Sequence, residues 1–311
     1  MTQTPRRNGH WLVVAAAVLW GTTGTAQALA PTGAEPLVVG ALRLAVGGTG
    51  LLAIALWRGG LGSGPRWPIG ATFCAAFFTA AYQVFFFAGV ARTGVAVGTI
   101  VGIGSSPIAA GLLDWLVRKE RPGRRWAIAT CLAILGCSLL AAKGGNLDVN
   151  PLGLILAIGA GVSYAIYTLA VKGLLDGRSP DAVMAVVFCL GALILSPLFF
   201  TADLHWLAEP RGIAVALHLG LVATALSYFL FARGLRTVPV SSAVTLSLAE
   251  PLTAGLLGVT VVGERLTLPA VIGIALLFSG LVLLATGFRE YPTETGRTPP
   301  APALNGSSRA T

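Results

Sequence analysis

The chain has 311 residues, 55% of them hydrophobic and 11% charged, with a formal net charge of +9. A soluble globular domain carries about 25% charged residues, so this composition excludes a pair of ordinary soluble domains and points to a polytopic membrane protein. In such a chain the position of the positive charge follows membrane topology and carries no implication of nucleic-acid binding.

About twenty apolar residues cross a bilayer as a helix. By that measure the first half contains spans at 11–30, 37–57, 67–91, 95–117 and 125–142. The second half contains spans at 151–171, 180–200, 212–235, 240–262 and 268–287. The cuts are punctuated by Pro31 and Pro36, by Gly59 to Pro65, by Pro122-Gly123 and, between the halves, by Gly144-Gly145-Asn146. The opening segment imitates a secretory signal, with Arg6-Arg7, an apolar run and Ala28-Leu29-Ala30. Pro31 directly after the would-be cut, and a matching segment in the second half, argue that it is retained. Residues 1–10 form an N-terminal tail, and 289–311, rich in Pro, Thr, Ser and Ala without periodicity, is expected to be disordered.

The two halves are copies. Residues 85–142 align with 229–286 without a gap and share 19 identities in 58 positions. Pro107-Ile-Ala-Ala-Gly-Leu-Leu lies over Pro251-Leu-Thr-Ala-Gly-Leu-Leu, and the same offset pairs Trp20 with Tyr164 and Pro36 with Pro180. An internal repeat constrains architecture more than any single motif, and duplicated membrane halves characterise secondary transporters. With the N-terminus inside, 16 Lys and Arg fall on cytoplasmic segments and five outside (Arg43, Arg92, Lys143, Arg211 and Arg265). This places both termini in the cytoplasm. Five spans is an odd number, so the second copy enters from the opposite side. The expected fold is an all-α membrane protein of ten transmembrane helices, with inverted five-helix repeats at 11–143 and 150–288.

Ionisable side chains at bilayer depth are costly and face the bundle interior or a wet cavity. Glu250 sits near the middle of span nine, directly before Pro251. Proline lacks a donor and clashes with the carbonyl four residues back, so the Ser247 carbonyl is expected to be freed. A carboxylate beside such a break can bind an ammonium group or carry a proton; the alternative is a structural Glu holding two helices together. Ser106 occupies the repeat position of Glu250 and Pro107 that of Pro251, so the kink is duplicated and the carboxylate is not. Pro107 and Pro251 are candidate hinges or gates. Trp20, Tyr82, Gln83, Tyr164, Tyr167 and Tyr228, with Ser106 and Glu250, form the candidate substrate-binding set, and Gln27 lies nearer the outer end of span one.

Other polar groups have simpler explanations. Asp114 is expected to pair with Arg118 one turn on, and His218 either to relay protons or to make a hydrogen bond. Gly94, Gly98 and Gly102 match the small-residue spacing of close helix packing. The four cysteines fall in apolar segments, show no metal or redox spacing and read as buried small hydrophobes. No cofactor is expected. An intramembrane enzyme would need a metal box or paired membrane aspartates, and no phosphate-binding loop is present for ATP.

Ten helices from a duplication, Ala-Glu-Pro in span nine, Gly263-Glu-Arg-Leu-Thr267 at its end, Lys119-Glu-Arg-Pro in the first copy and Trp20-Gly21 in span one together resemble the EamA family of the drug/metabolite transporter superfamily. The resemblance covers residues 10–288. It implies a bacterial inner-membrane carrier of small metabolites, often an exporter of amino acids or related compounds, with a central cavity walled by spans one, three, four, six, eight and nine. The chain departs from the family pattern at Asp114, where an apolar or small residue is usual. A drug or cation–proton antiporter, or a channel or membrane subunit without carrier activity, remains an alternative. The expected partners are a small-molecule substrate, the lipid bilayer and, as a candidate coupling ion, the proton, with the chain a monomer or homodimer.

Overall fold

Among the described residues, proline opens four of the α-helices, where its missing donor costs nothing and its fixed φ suits the first turn. These are α2 (Pro36–Trp57), α5 (Pro151–Leu174), α6 (Pro180–Leu195) and α7 (Pro210–Leu217). Pro36 and Pro180, matched by the repeat, thus do the same work in each half. The computed structural model describes residues 9–62, 64–141, 150–261 and 267–286. Residues 1–8 of the N-terminal tail, the C-terminal tail, the Gly144-Gly145-Asn146 separator and the Gly263–Leu266 part of the span-nine motif lie outside the described residues, whereas Gly9 and His10, expected in the tail, belong to the first helix.

Every regular element among the described residues is helical. Besides those above, the chain forms α1 (Gly9–Ala28), α3 (Ile69–Leu113), α4 (Arg124–Ala141), α8 (Ser227–Leu235), α9 (Val240–Leu246), α10 (Ala249–Thr260) and α11 (Leu268–Thr286). A π-helical stretch, His218–Leu226, joins α7 to α8, and a π turn, Asp114–Arg118, ends α3.

The 45 residues of α3 are not one rod. A Cβ at Gly98 would lie 2.9 Å from the Cα of Val90, and one at Gly102 would lie 3.7 Å from the Phe86 ring. A straight helix would hold those pairs about 12 and 24 Å apart. The chain therefore doubles back between Thr93 and Gly98, giving two antiparallel arms where spans three and four were expected.

Two repeat-equivalent pairs meet across the boundary between the halves, as a pseudo-two-fold demands: α2 on α6 and α4 on α11. The glycines define the geometry. A Cβ at Gly136 would meet the Gly273 carbonyl and Leu277 at 2.6 to 2.7 Å, and one at its repeat mate Gly280 would meet the Ala129 carbonyl and Ala133. Those partners are themselves repeat mates. The pairing also slides in opposite directions along the two helices, so α4 and α11 run antiparallel. Gly48 against Phe188 and Cys189, with Gly191 against Leu44, gives the same result for α2 and α6.

One end of the bundle is tied by buried polar links. Asp181, 2% exposed, is gripped by Arg58 at 3.1 Å and Arg233 at 2.6 Å. Lys172 donates to the carbonyls of Leu235, Arg236 and Val238 at 2.6 to 3.2 Å, and Arg178 donates to those of Pro65 and Arg66. Asp114 does not form the expected ion pair. Arg118 turns to Glu120 at 3.2 Å, and the buried Asp114 carboxylate accepts from the Ser241 backbone N–H at 2.6 Å. It serves the first turn of α9, whose orphan donors and positive dipole end favour a carboxylate. At the opposite end, Arg211 donates to the Leu29 carbonyl.

Polarity is distributed inside out. Thr168, Thr224, Ser227 and Thr245 are fully buried, while Trp57, Phe73, Leu193, Phe200 and Phe278 stand exposed. In water such an apolar belt would be a liability; in a bilayer it is the solvated face. Among the described residues, six helical stretches are long and apolar enough to cross a membrane: Pro36–Trp57, Ile69–Thr93, Pro151–Leu174, Pro180–Phe200, Pro210–Leu235 and Val240–Leu257. The protein is thus of multi-pass membrane type. Of the cysteines, Cys137 is buried as expected, whereas Cys131 is exposed.

Gly136→Val should destabilise the α4–α11 contact by about 1–3 kcal/mol, since the added atoms meet backbone that cannot move aside. Leu135→Val, at a neighbouring position 56% exposed, should leave the melting temperature in detergent nearly unchanged; equal shifts for both would contradict this packing.

Candidate functional site

A cavity opens where the two halves meet. It is lined by Trp20 of α1, Arg43 of α2, Tyr82, Ile103 and Ser106 of α3, Tyr164 of α5, Tyr228 of α8, Val244 of α9, and Ser247, Leu248 and Glu250 at the α9–α10 junction. Six of the eight predicted binding residues are therefore brought together: Trp20, Tyr82, Ser106, Tyr164, Tyr228 and Glu250. Gln83 and Tyr167 stand outside this lining. Gln83 is buried with its side-chain oxygen close to Gly40, and the Tyr167 hydroxyl faces the Met184 sulfur at 3.9 Å.

The aromatic wall is continuous. Trp20 lies 4.8 Å from Tyr228 and 6.4 Å from Tyr164, ring centre to ring centre, and Tyr82 lies 5.8 Å from Tyr164. Such spacings suit offset and edge-on aromatic packing. The Trp20 indole N–H is buried and, among the described residues, has no hydrogen-bond partner. The Tyr164 hydroxyl is tied to the Ser247 hydroxyl at 3.0 Å, and Ser247 in turn donates to the Ala243 carbonyl.

Glu250 is positioned by a break in the helix. α9 ends at Leu246 and α10 begins at Ala249, five and two residues before Pro251 is reached. The Ser247 carbonyl that Pro251 cannot serve is not left free, contrary to expectation: it accepts from the Glu250 backbone N–H at 3.0 Å, a contact three rather than four residues back. This tightened turn replaces the lost bond. Pro107 behaves differently, because the second arm of α3 continues through it and the hydroxyls of Ser105 and Ser106 fold back onto the Gly102 carbonyl. Only one of the two expected helix breaks is present. α1 reaches this region because Gly21 has no side chain: a Cβ there would lie 2.7 Å from the Glu250 carbonyl. Among the described residues the Glu250 carboxylate makes no hydrogen bond or ion pair.

Sequence reasoning missed Arg43, which it counted with the outer charges. Seven residues into α2, Arg43 lies about 10 Å along the helix axis and in the cavity wall. Its Nε donates to the Thr224 hydroxyl at 3.1 Å and its Nη2 approaches the Ala223 carbonyl at 3.5 Å. Both partners belong to the π-helical stretch, whose wide turns are frequent at functional sites. The signal that would have found it is its position within an otherwise unbroken apolar run. His218, in the same stretch, is hydrogen-bonded through Nε2 to the Thr22 hydroxyl at 2.9 Å.

Comparison with known proteins gives a consistent picture. A sequence model of the EamA-like transporter family matches twice, at residues 7–142 and 151–286. An uncharacterized transporter of Bacillus subtilis, YwfM, is 48% identical over 281 residues, spanning 90% of this chain and 95% of that protein. The threonine/homoserine exporter RhtA of Escherichia coli is 31% identical over 283 residues, spanning 88% of each. A crystal structure sharing 20% identity superposes with a TM-score of 0.78 over 90% of this chain and 99% of that one, a likeness of fold.

Proposed function

Because the chain belongs to the EamA-like transporter family, as both halves match it, we propose that it is a secondary carrier exporting an amino acid or related small metabolite across the bacterial inner membrane by alternating access. Relatives named as transporters support the class of activity, and the exporter RhtA supports the direction and the kind of substrate. The observation that carries the reading is the Glu250 carboxylate, held in an aromatic-walled cavity between the halves without a partner of its own. A carboxylate that merely tied two helices together would be found bonded to both. This one is available to a substrate ammonium or a proton, and Trp20, Tyr82, Tyr164 and Tyr228 supply a cation–π wall for the ammonium.

In this reading the chain crosses the membrane ten times. The four spans beyond the six most apolar stretches are α1, the second arm of α3, α4 and α11, and the repeats are inverted with both termini cytoplasmic. Antiparallel packing of repeat-equivalent helices supports inversion. The buried links of Asp181, Lys172, Arg178 and Asp114 support it too, since they join only segments that ten spans would put on the cytoplasmic side. Rocking of one half against the other would open the cavity alternately to each face, with Pro251, at the broken helix, and Pro107, its unbroken counterpart, as unequal hinges. Catalysis has no part in this scheme, and no cofactor is required.

Two measurements test the proposal. Single cysteines at Arg124 and Asp203 should react with an impermeant maleimide from opposite faces of right-side-out membranes; reaction of both from one face would refute the ten-span inverted arrangement. Glu250→Gln keeps the shape but removes the charge, and in proteoliposomes loaded with a panel of amino acids it should slow efflux by about a hundredfold or more, the scale of a lost charged contact in a dry site, while the protein still inserts and folds. Efflux at the original rate and pH dependence would leave Glu250 a structural role alone.

A further inference from the structure

Arg43 and Glu250 are the charged residues that line the cavity, and both break the repeat. The repeat mate of Glu250 is Ser106, and that of Arg43 is Val187, which is fully buried. At both positions the other half carries a neutral residue, so the repeat itself demands neither charge. Each charge is also delivered by irregular backbone: Glu250 by the interruption at Ser247–Leu248, Arg43 by hydrogen bonds to the π-helical stretch. Irregular backbone at membrane depth is tolerated where it lines a cavity.

No ion pair joins the two within 4 Å, although they share the wall. The guanidinium has five N–H donors in a fork that matches a carboxylate. Thr224 and Ala223 engage one N–H each, leaving the rest for a ligand. The unpartnered indole N–H of Trp20, in the same wall, is a further donor.

We infer that Arg43 is the anion-binding residue of this cavity and that the cargo is a zwitterion, its carboxylate received by Arg43 and its ammonium by Glu250. This rests on the carrier reading above and narrows it. A cation without a carboxylate would meet Glu250 but be repelled by Arg43 at close range in a medium of low dielectric. A carboxylate without an amine would meet the reverse. A molecule with both neutralises each side chain and carries no net charge through the hydrocarbon.

The test uses the purified full-length protein in detergent, titrated with the twenty common L-amino acids by thermal shift. The strongest binder is then compared with its own methyl ester and its decarboxylated amine. In the native protein the free acid should bind about tenfold or more tightly than either, the scale of a charge-assisted hydrogen bond. In Arg43→Gln the acid should lose its advantage over the ester, while the ester and the amine, no longer repelled by a guanidinium, should bind more tightly than they do to the native protein. Arg43→Lys, which keeps the charge but not the fork, should give an intermediate ratio and serves if the glutamine variant does not fold. A folded variant that keeps the native acid-to-ester ratio would reduce Arg43 to a tie between α2 and the π stretch. A native protein preferring the amine or ester would overturn the zwitterion assignment while leaving a carrier. Binding of none of the twenty amino acids would sink the amino-acid reading itself, and this assignment with it.

Discussion

Hydrocarbon offers no hydrogen-bonding partner, so every interruption of a membrane helix must be closed from within the protein. Two such interruptions among the described residues stand beside one cavity, the α9–α10 junction in its wall and the π-helical stretch behind Arg43. At the α9–α10 junction the Glu250 N–H takes the Ser247 carbonyl, and in the π stretch the hydroxyls of Thr224 and Ser227 bond back onto the carbonyls of Leu219 and Ala223. The carboxylate and the guanidinium of the site are held by this local chemistry, with the long regular helices behind them as a rigid frame.

That frame rests on small residues. Where the hydrophobic effect no longer distinguishes lipid from protein, helices associate by close van der Waals contact, and glycine allows the closest. Gly136 and Gly280 bring α4 and α11 together, Gly161 seats α5 on the Ser105–Ser106 turn, and Gly21 seats α1 beside Glu250. Each of these contacts joins one half to the other. The wall of the cavity is thus assembled across the repeat boundary, and a relative motion of the halves would alter it directly.

Duplication gives symmetry to packing, whereas the candidate site departs from it. Pro107 and Pro251 show the two outcomes side by side. Following Ser105 and Ser106, Pro107 is absorbed into a continuing helix. Following Glu250, Pro251 lies just beyond a break. Asp114 is a third asymmetry: its repeat position is Gly258, and it spans the halves by capping α9 at the end of the bundle where the basic links cluster.

The sequence by itself determined the membrane class, the duplication and its offset, and the family, because hydropathy and repeat are properties of the chain read in one dimension. It also singled out Glu250, Trp20, Ser106 and most of the aromatic wall, since a carboxylate or a cluster of aromatics at mid-span is conspicuous against an apolar background. Tertiary structure decided the rest. Arg43 reads as an outer charge when basic residues are only counted by side, and becomes a wall residue once α2 is seen to carry it inward to Thr224. Asp114 reads as the partner of Arg118 by spacing, and becomes the cap of a helix 127 positions away. Tyr167 shares a helical face with Tyr164 yet turns its hydroxyl to Met184. In each case the deciding quantity is the approach of a second helix, which depends on crossing geometry and on glycines far along the chain, and no local pattern contains it.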